Sequence, residues 1–376
     1  MQNPTFRPGN TEKPKGVLPE RLIGALSRWV FQDDLSALVR EDFVSPRLRD
    51  LSLSLFPSRE TEEDFLYLQS TALKQRFAGQ QIETLFAENG IVFCPIKGMD
   101  LSRRVWPRRV LRGQSDLDVV VLPRDRAKAR KILRQNGWTE YYRRECGHHD
   151  PVLVRQDVAV EIHFKFPHFG GASADELLPY WIPEEKFRYR LPLEMNLAML
   201  FCHGRGHHWM DIPRLLLDCG FLVRAEGAPD WKKMNELTRR FNVPSPALLF
   251  AAFPDFFPAE MLPDAAFPPE AVEAFRRLFE ISVPEGGKEY ALRILTGRGR
   301  FSAGWFWERL KGMRPSVIRK HIHEPRGAYG KLLAGYFQIF FRKLGLLRHY
   351  GEWKKSSPLC ARLRDEETVE KSLRHG

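Results

Sequence analysis

Two aspartates stand two residues apart at the start of a short apolar run. Asp116 and Asp118 lead into residues 119–122, a run of apolar residues typical of a buried β-strand. Side chains at positions i and i+2 of a strand point to the same face, so the two carboxylates are predicted to lie close together and to repel each other. A hard divalent cation with oxygen ligands relieves this repulsion, and Mg²⁺ suits such a site when substrate phosphates complete its coordination.

A second segment adds a third carboxylate. Residues 158–166 alternate apolar and other residues as a strand does, which places Glu161 and His163 on one face. If this strand neighbours the first, Glu161 would complete a site for one or two metal ions. Such a site stabilises the attacking and leaving oxygens of an in-line phosphoryl displacement. The Asp pair alone is weak evidence, since aspartates at strand starts are also common on solvated surfaces.

The spacing of apolar residues predicts the elements that must position these side chains. A helix is predicted from residue 61 to a stop at Asn89-Gly90, and a strand follows over residues 91–96. A helix over 124–136 connects the two carboxylate strands, and further helices are predicted over 193–208, 213–225, 230–241 and 246–253. Helices and strands are grouped rather than alternating. The pattern therefore predicts an α+β fold with a small mixed sheet.

The same patterns divide the chain into four parts. Residues 1–90 are predicted to form an N-terminal arm and helices, and residues 91–190 the α+β core with its small sheet. Residues 191–286 are predicted to form a helical domain that covers the cleft. Residues 287–376 are predicted to form a basic, aromatic-rich helical segment.

The positive charge is concentrated in that last segment. Residues 287–376 contain 20 Lys and Arg but 8 Asp and Glu, which accounts for the whole net charge of +12. A basic segment with interleaved aromatic residues can bind nucleic acid or an anionic surface. The alternative is a peripheral helical segment with solvated charges and aromatic rings turned onto the protein.

Composition narrows the class of protein further. A hydrophobic fraction of 43% is sufficient for a packed core and argues against general disorder. No apolar run approaches the roughly 18 residues of a transmembrane helix, and the N-terminus does not resemble a signal peptide. The five cysteines lack the spacing of a zinc site or disulfide framework. We therefore expect a cytoplasmic protein without a transmembrane segment.

The ordered set of segments resembles the minimal core of the polymerase-β superfamily of nucleotidyltransferases. More closely, it is similar to a bacterial family described as uncharacterised nucleotidyltransferases. The resemblance covers roughly residues 91–260 and is carried by the segments IKGMDLSRRVWP, RGQSDLDVVVLPRDRAKARKILRQNGW and HHDPVLVRQDVAVEIHFKF. It implies that Asp116 and Asp118 are the metal-binding aspartates and that Glu161 is the third acidic residue of the site.

The resemblance also implies a nucleotide-binding set. Lys97 and Gly98 occupy the turn where many members have Gly-Ser holding the triphosphate, although Met99 follows here. Phosphate contact would then come from backbone N–H groups, from Lys97 as a point charge, or from Arg112 as a two-pronged donor. For Lys97 and Arg112, a structural salt bridge to the two aspartates is the alternative.

Two further residues complete the set that the resemblance implies. Ser115, directly before the aspartates, and His163 are included among the nucleotide-binding residues. His163 would orient Glu161 or accept a proton from the substrate hydroxyl. His148 and His149 lie near the carboxylate strands in the same pattern, without an assigned role.

The expected activity is a Mg²⁺-dependent (or Mn²⁺-dependent) transfer of an NMP group from an NTP, ATP in the simplest case, to an acceptor hydroxyl. A small hydroxylated acceptor suits the family resemblance, whereas a polymer would suit the basic segment. The alternative is a non-catalytic protein that binds RNA or an anionic surface through residues 287–376. A kinase-like site is disfavoured, because the sequence has no glycine-rich phosphate loop of either usual spacing.

Overall fold

The computed structural model describes residues 18–38, 49–56, 58, 61–107, 112–141, 149–166, 169–207, 209, 211–280 and 358–375. These residues form an α+β structure with one mixed sheet, as the sequence predicts. The predicted N-terminal arm up to residue 17 and the basic segment up to residue 357 lie outside the described residues. None of the helices within the described ranges has the length and apolar character required to cross a bilayer.

The helices run along the whole of the described chain. They are α1 (Leu18–Gln32), α2 (Arg49–Leu55), α3 (Glu62–Glu88), α4 (Lys97–Arg104), α5 (Arg126–Gln135), α6 (Ala174–Leu177), α7 (Leu193–Gly206), α8 (Ile212–Glu226), α9 (Trp231–Arg240), α10 (Ala247–Ala252), α11 (Pro269–Glu280) and α12 (Pro358–His375). The predictions for α3, α5 and α7 to α10 are confirmed to within a few residues. Helix α4 was not predicted, because the Lys97-Gly98 pair was interpreted as a turn.

Seven strands form one mixed sheet. They are β1 (Phe93–Ile96), β2 (Asp116–Val121), β3 (Thr139–Glu140), β4 (Leu153–Arg155), β5 (Val158–His163), β6 (Ile182–Glu185) and β7 (Arg188–Arg190). Their order across the sheet is β3-β4-β5-β2-β1-β7-β6. At its centre β2 pairs in parallel with β5 and antiparallel with β1.

The turn between β4 and β5 fixes the position of β5. Gln156 and Asp157 connect the two antiparallel strands with φ of +49° and +64°. Two successive residues with positive φ make the tight hairpin turn whose twist matches that of the flanking strands. The hairpin pairs β5 with β4 on one side, and β5 pairs with β2 on its other side.

One face of the sheet carries the hydrophobic core beneath α3 and α5. Val119 of β2 and Val160 of β5 are fully buried there. Ile82 and Phe86 of α3 and Leu133 of α5 pack in the same cluster and are also fully buried. Side chains alternate along a strand, so the residues next to Val119 in β2 and next to Val160 in β5 point to the opposite face. The polar side chains of both strands lie on that face.

Buried ion pairs hold α4 beside the sheet. The carboxylate of Asp100 is almost fully buried and accepts hydrogen bonds from Arg104 one turn later, at 2.8 Å for the shortest. Arg104 also pairs with Glu226 at the end of α8. The same carboxylate pairs with Arg190 of β7, with 3.1 Å between Nη1 and Oε2. Burying these charges is tolerated because each carboxylate has a cationic partner. These pairs connect α4 to α8 and, through Glu226, to β7.

The chain divides into two compact units. One contains residues 1–204 and 211–266 and includes the sheet. The other contains residues 205–210 and 267–376, where Arg277 of α11 pairs with Asp365 of α12 at 2.7 Å. The division into parts at residues 90, 190 and 286 stays a prediction.

Two helical glycines provide a matched test of packing in the first unit. A Cβ added at Gly220 of α8 would lie 2.8 Å from a ring carbon of Phe256 and 3.0 Å from Val30, whereas one at Gly24 of α1 would meet nothing within 4 Å. Gly220→Ala should lower the free energy of unfolding by about 1–3 kcal/mol through overpacking. Gly24→Ala should raise it by about 0.5–1 kcal/mol through helix propensity. Urea unfolding of both variants checks the opposite signs, and a loss of stability in neither variant would contradict the packing described here.

Candidate active site

The parallel pairing of β2 with β5 brings the predicted carboxylates together. Asp118 lies directly opposite Glu161 in the register, and Val120 lies opposite His163. Both Asp118 and Glu161 point away from the α3 side of the sheet, since Val119 and Val160 next to them belong to the core. The predicted neighbouring strand with a third carboxylate is therefore present in the structure.

Three side chains form a compact group on this face. Asp118, Glu161 and His163 each offer a potential ligand atom, and these atoms lie within 4.8 Å of one another. His163 Nε2 is 2.8 Å from Asp118 Oδ1 and 3.5 Å from Glu161 Oε2. Asp118 and His163 are buried, while Glu161 is partly exposed.

Asp116 lies on the same face of β2 but outside this group of three. Its Oδ1 accepts a hydrogen bond of 3.0 Å from the exposed Ser115 hydroxyl. The sequence predicts Asp116, Asp118 and Glu161 as the metal-binding residues. In the structure, His163 rather than Asp116 completes the compact group with Asp118 and Glu161. All four residues nevertheless share one face at the start of β2 and along β5.

Lys97 supplies the positive charge at the centre of the site. Its Nζ lies 2.7 Å from Asp118 Oδ1, and the two side chains are only 11% and 4% exposed. Lys97 begins α4 with φ of +50°, a conformation that is costly for a residue with a Cβ. The alternative predicted for Lys97, a salt bridge to one of the two aspartates, is confirmed for Asp118.

The electrostatics divide the three carboxylates into two kinds. Burial alone would raise the pKa of Asp118, but the Lys97 ammonium and the hydrogen bond from His163 outweigh it and hold that pKa well below its usual range. Burial and the nearby Asp118 charge raise the pKa of both Asp116 and Glu161. One ammonium thus stabilises one carboxylate and leaves the other two undercompensated.

His163 acts as a neutral donor in this arrangement. Burial lowers its pKa to about 4, against the opposing effect of Asp118, so the ring is uncharged at neutral pH. An ionised carboxylate only accepts hydrogen bonds, so the proton of the ring must lie on Nε2 to donate to Asp118. His163 therefore orients Asp118. The sequence predicts instead that it orients Glu161 or accepts a proton from the substrate hydroxyl.

His149 is a residue at the site that the sequence interpretation left without a role. It forms an isolated bridge to His163, and its Nε2 lies 3.9 Å from Glu161 Oε1. Its Nδ1 contacts the carbonyl oxygen of Asp150, an acceptor, so Nδ1 is the donor and Nε2 faces the carboxylate. Asp150 is fully buried and is held by Arg126 of α5 at 2.7 Å. The neighbouring His148 lies outside the described residues.

Arg112 contacts a different aspartate from the ones suggested by the sequence. Its Nε and Nη2 donate to the two carboxylate oxygens of Asp218 in α8, at 2.9 and 2.8 Å. Trp106 donates to the same carboxylate at 2.8 Å. The predicted alternative, a salt bridge to Asp116 or Asp118, is therefore replaced by a buried bidentate pair with Asp218. This pair fastens the loop before β2 to α8, and a phosphate contact by Arg112 stays a prediction.

Gly98 allows α4 to begin close to that loop. A Cβ at this position would lie 3.0 Å from Gln114 Cβ and 3.1 Å from Arg112 Nη1, and would overlap the amide oxygen of Gln114. The backbone of Gln114 is held in turn by Gln75 of α3, at 2.8 Å. Gly98 is thus required for close packing, and its predicted contact with nucleotide stays a prediction.

A family model described as "uncharacterised nucleotidyltransferase" matches residues 28–255, more than half of the chain. The matched range includes β1, β2 and β5 and every residue of the site described above. No curated protein and no solved structure matches the chain.

The pKa of His163 predicts a pH dependence of stability. Its folded value of about 4 lies below the ordinary 6.5, so the unfolded chain takes up a proton at higher pH than the folded protein does. The neutral buried ring makes its full contribution to the free energy of unfolding above about pH 6.5. This contribution, up to about 3 kcal/mol, is lost as the pH falls toward 4. His163→Gln keeps an N–H donor for Asp118 and should reduce this loss. Urea unfolding at several pH values measures it, and an equal decline in the variant would contradict the assignment.

The Arg112–Asp218 pair predicts a rescue experiment. Arg112→Met leaves a buried carboxylate without its cation and should lower the free energy of unfolding by about 3–5 kcal/mol. Adding Asp218→Leu removes the stranded charge and should restore most of that loss. Lys74→Met, which breaks an exposed pair with Asp157, should change stability by less than about 1 kcal/mol. Equal instability of the single and double variants in urea would argue against the buried pair.

Proposed function

Because the chain belongs to the uncharacterised nucleotidyltransferase family, we propose that it transfers an NMP group from an NTP, ATP in the simplest case, to a hydroxyl of an acceptor molecule. The observation that carries this proposal is the pairing of Asp118 with Glu161 across parallel strands, with His163 beside both. Membership of the family supports nucleotidyl transfer in general. The nucleotide, the acceptor and the metal are our inference.

The donor set suits a hard divalent cation. Asp116, Asp118 and Glu161 present carboxylate oxygens from one face of the sheet, and these are the ligands that Mg²⁺ and Mn²⁺ prefer. The raised pKa values of Asp116 and Glu161 indicate that Lys97 alone does not balance their charge. We therefore assign these three residues to the metal. When bound, the ion neutralises triphosphate charge and acts as a Lewis acid at the reacting phosphate.

The transfer itself needs a proton acceptor and a leaving group. The acceptor hydroxyl oxygen forms a bond to the α-phosphorus, and the bond from that phosphorus to the α,β-bridging oxygen breaks, so that pyrophosphate leaves with the electron pair. The hydroxyl proton passes to Glu161 when this carboxylate is not holding an ion, because its raised pKa then makes it a better base than an ordinary carboxylate. His149 borders the same carboxylate, with its Nε2 3.9 Å from Glu161 Oε1.

The phosphates would be held at the start of α4. Lys97 provides a point charge there, and the backbone N–H groups from Gly98 onward point out of the helix N-terminus. Ser115 lies beside Asp116 and offers a hydroxyl. Positioning and charge neutralisation of this kind provide most of the acceleration in phosphoryl transfer.

We infer that the acceptor is a small hydroxylated molecule. The helices within residues 191–286 would select this acceptor. The alternative, a non-catalytic protein that binds RNA or an anionic surface, rests on residues 287–376, of which only residues 358–375 lie within the described part of the chain. A cytoplasmic location likewise stays a prediction.

The test uses ATP labelled at the α or the γ phosphate, with Mg²⁺ and an extract of metabolites and RNA as acceptors. We expect label to be transferred from the α position only. Asp118→Asn should reduce this transfer by about 10³-fold, because it removes the charge of the most buried carboxylate of the site.

The matched control is Asp157→Asn, since that carboxylate is 92% exposed in the β4–β5 turn and lies outside the site. The control should keep full activity. Transfer from the γ position alone would indicate a kinase and overturn the proposal. RNA binding with a steep salt dependence, unchanged by Asp118→Asn and without label transfer, would favour the non-catalytic alternative.

A further inference from the structure

Three carboxylates share the site, those of Asp116, Asp118 and Glu161. Among the described residues, Lys97 is the one lysine or arginine that contacts any of them. Its ammonium contacts Asp118 directly, and its charge also opposes, from a distance, the rise in the pKa of Asp116 and Glu161 that burial and the Asp118 charge cause. Among the described residues at the site, its charge therefore acts on all three carboxylates, although it compensates only Asp118 fully. A site built to take up a divalent cation already contains a competing positive charge.

The oxygen that Lys97 contacts has no further capacity. Asp118 Oδ1 accepts from Lys97 Nζ at 2.7 Å and from His163 Nε2 at 2.8 Å. A carboxylate oxygen has two lone-pair positions, so both are in use. A cation that binds this oxygen must displace one of the two donors. His163 is fully buried on β5, whereas Lys97 has a flexible four-carbon side chain. For a cation that binds at Oδ1, Lys97 is therefore the donor that would leave.

The backbone at Lys97 supports a functional role for this contact. Its φ of +50° is one that lysine rarely adopts, and residues held in such conformations are concentrated at binding and switching sites. The strained residue lies at the junction of β1 and α4, next to the glycine that packs against the loop before β2. From this junction the ammonium can reach either the carboxylates or a group bound at the start of α4.

We propose that Lys97 is an exchangeable counter-ion, which occupies Asp118 until a divalent cation takes its place and then turns to the triphosphate. This inference rests on the proposed metal site. It goes further in predicting that Lys97 weakens the binding of a cation alone and strengthens the binding of the nucleotide with its cation. The site then loads cation and nucleotide together, because the anion of the nucleotide compensates the displaced ammonium.

The two effects of opposite sign distinguish this role from a structural ion pair. Lys97→Met and Lys97→Gly remove the charge, and the glycine also relieves the positive φ. Both variants should bind Mn²⁺ alone about tenfold more tightly, measured from the free-ion signal by electron paramagnetic resonance. Both should bind α,β-methylene-ATP with Mn²⁺ about tenfold more weakly. Lys74→Met, on the exposed surface of α3, should behave like the wild type.

The outcomes separate this inference from the proposed function. Circular dichroism first establishes that each variant is folded, and the glycine variant serves if the methionine variant is not. Unchanged or weaker Mn²⁺ binding by folded Lys97 variants would overturn the exchange, whatever the labelling experiment gives. Absence of Mn²⁺ binding by the wild type would overturn it together with the metal site. Tighter Mn²⁺ binding without transfer of α-label would support the exchange and leave nucleotidyl transfer refuted.

Discussion

The parallel alignment of β2 with β5 determines the chemistry of this protein. Alignment of Asp118 with Glu161 places two carboxylates side by side, and the period of two along each strand adds Asp116 and His163 to the same face. A shift of one residue in either strand would turn these groups into the core under α3. The register is protected from such a shift because the intervening valines are fully buried. The hydrophobic core and the site are therefore specified by the same alternation.

This arrangement carries an electrostatic cost that the surrounding structure compensates unevenly. Asp118 receives an ammonium and an imidazole donor, while Asp116 and Glu161 receive little and have raised pKa values. Elsewhere in the same unit, buried carboxylates such as Asp100 and Asp218 have bidentate arginine partners. The contrast separates acidic residues that hold the fold together from those that remain available for a ligand. Incomplete compensation is a characteristic of functional sites.

The sequence was sufficient to predict most of the helices, the strands β1, β2 and β5 and the acidic residues on them, but not the partners of those residues. Burial of one face imposes the alternation in residues 158–163, so β5 could be predicted from local pattern. The partner of Arg112 could not, because Asp218 lies 106 residues further along the chain and no local pattern connects the two. His149 was left unassigned for a similar reason, since a single bridging residue has no period. Helix α4 begins on a lysine with positive φ, a conformation for which residue type gives little signal.

The packing of α3 has a practical meaning for the smallest piece of chain that can fold. Ile82 and Phe86 are fully buried against β2 and β5, so this helix forms one wall of the core that supports the carboxylates. A fragment that begins at residue 91, where the α+β pattern starts in the sequence, would expose that face of the sheet to water. Such a fragment would be prone to aggregate through the uncovered apolar surface. A minimal fragment that carries the site must therefore include the buried half of α3, which begins at Gln75, upstream of the first strand.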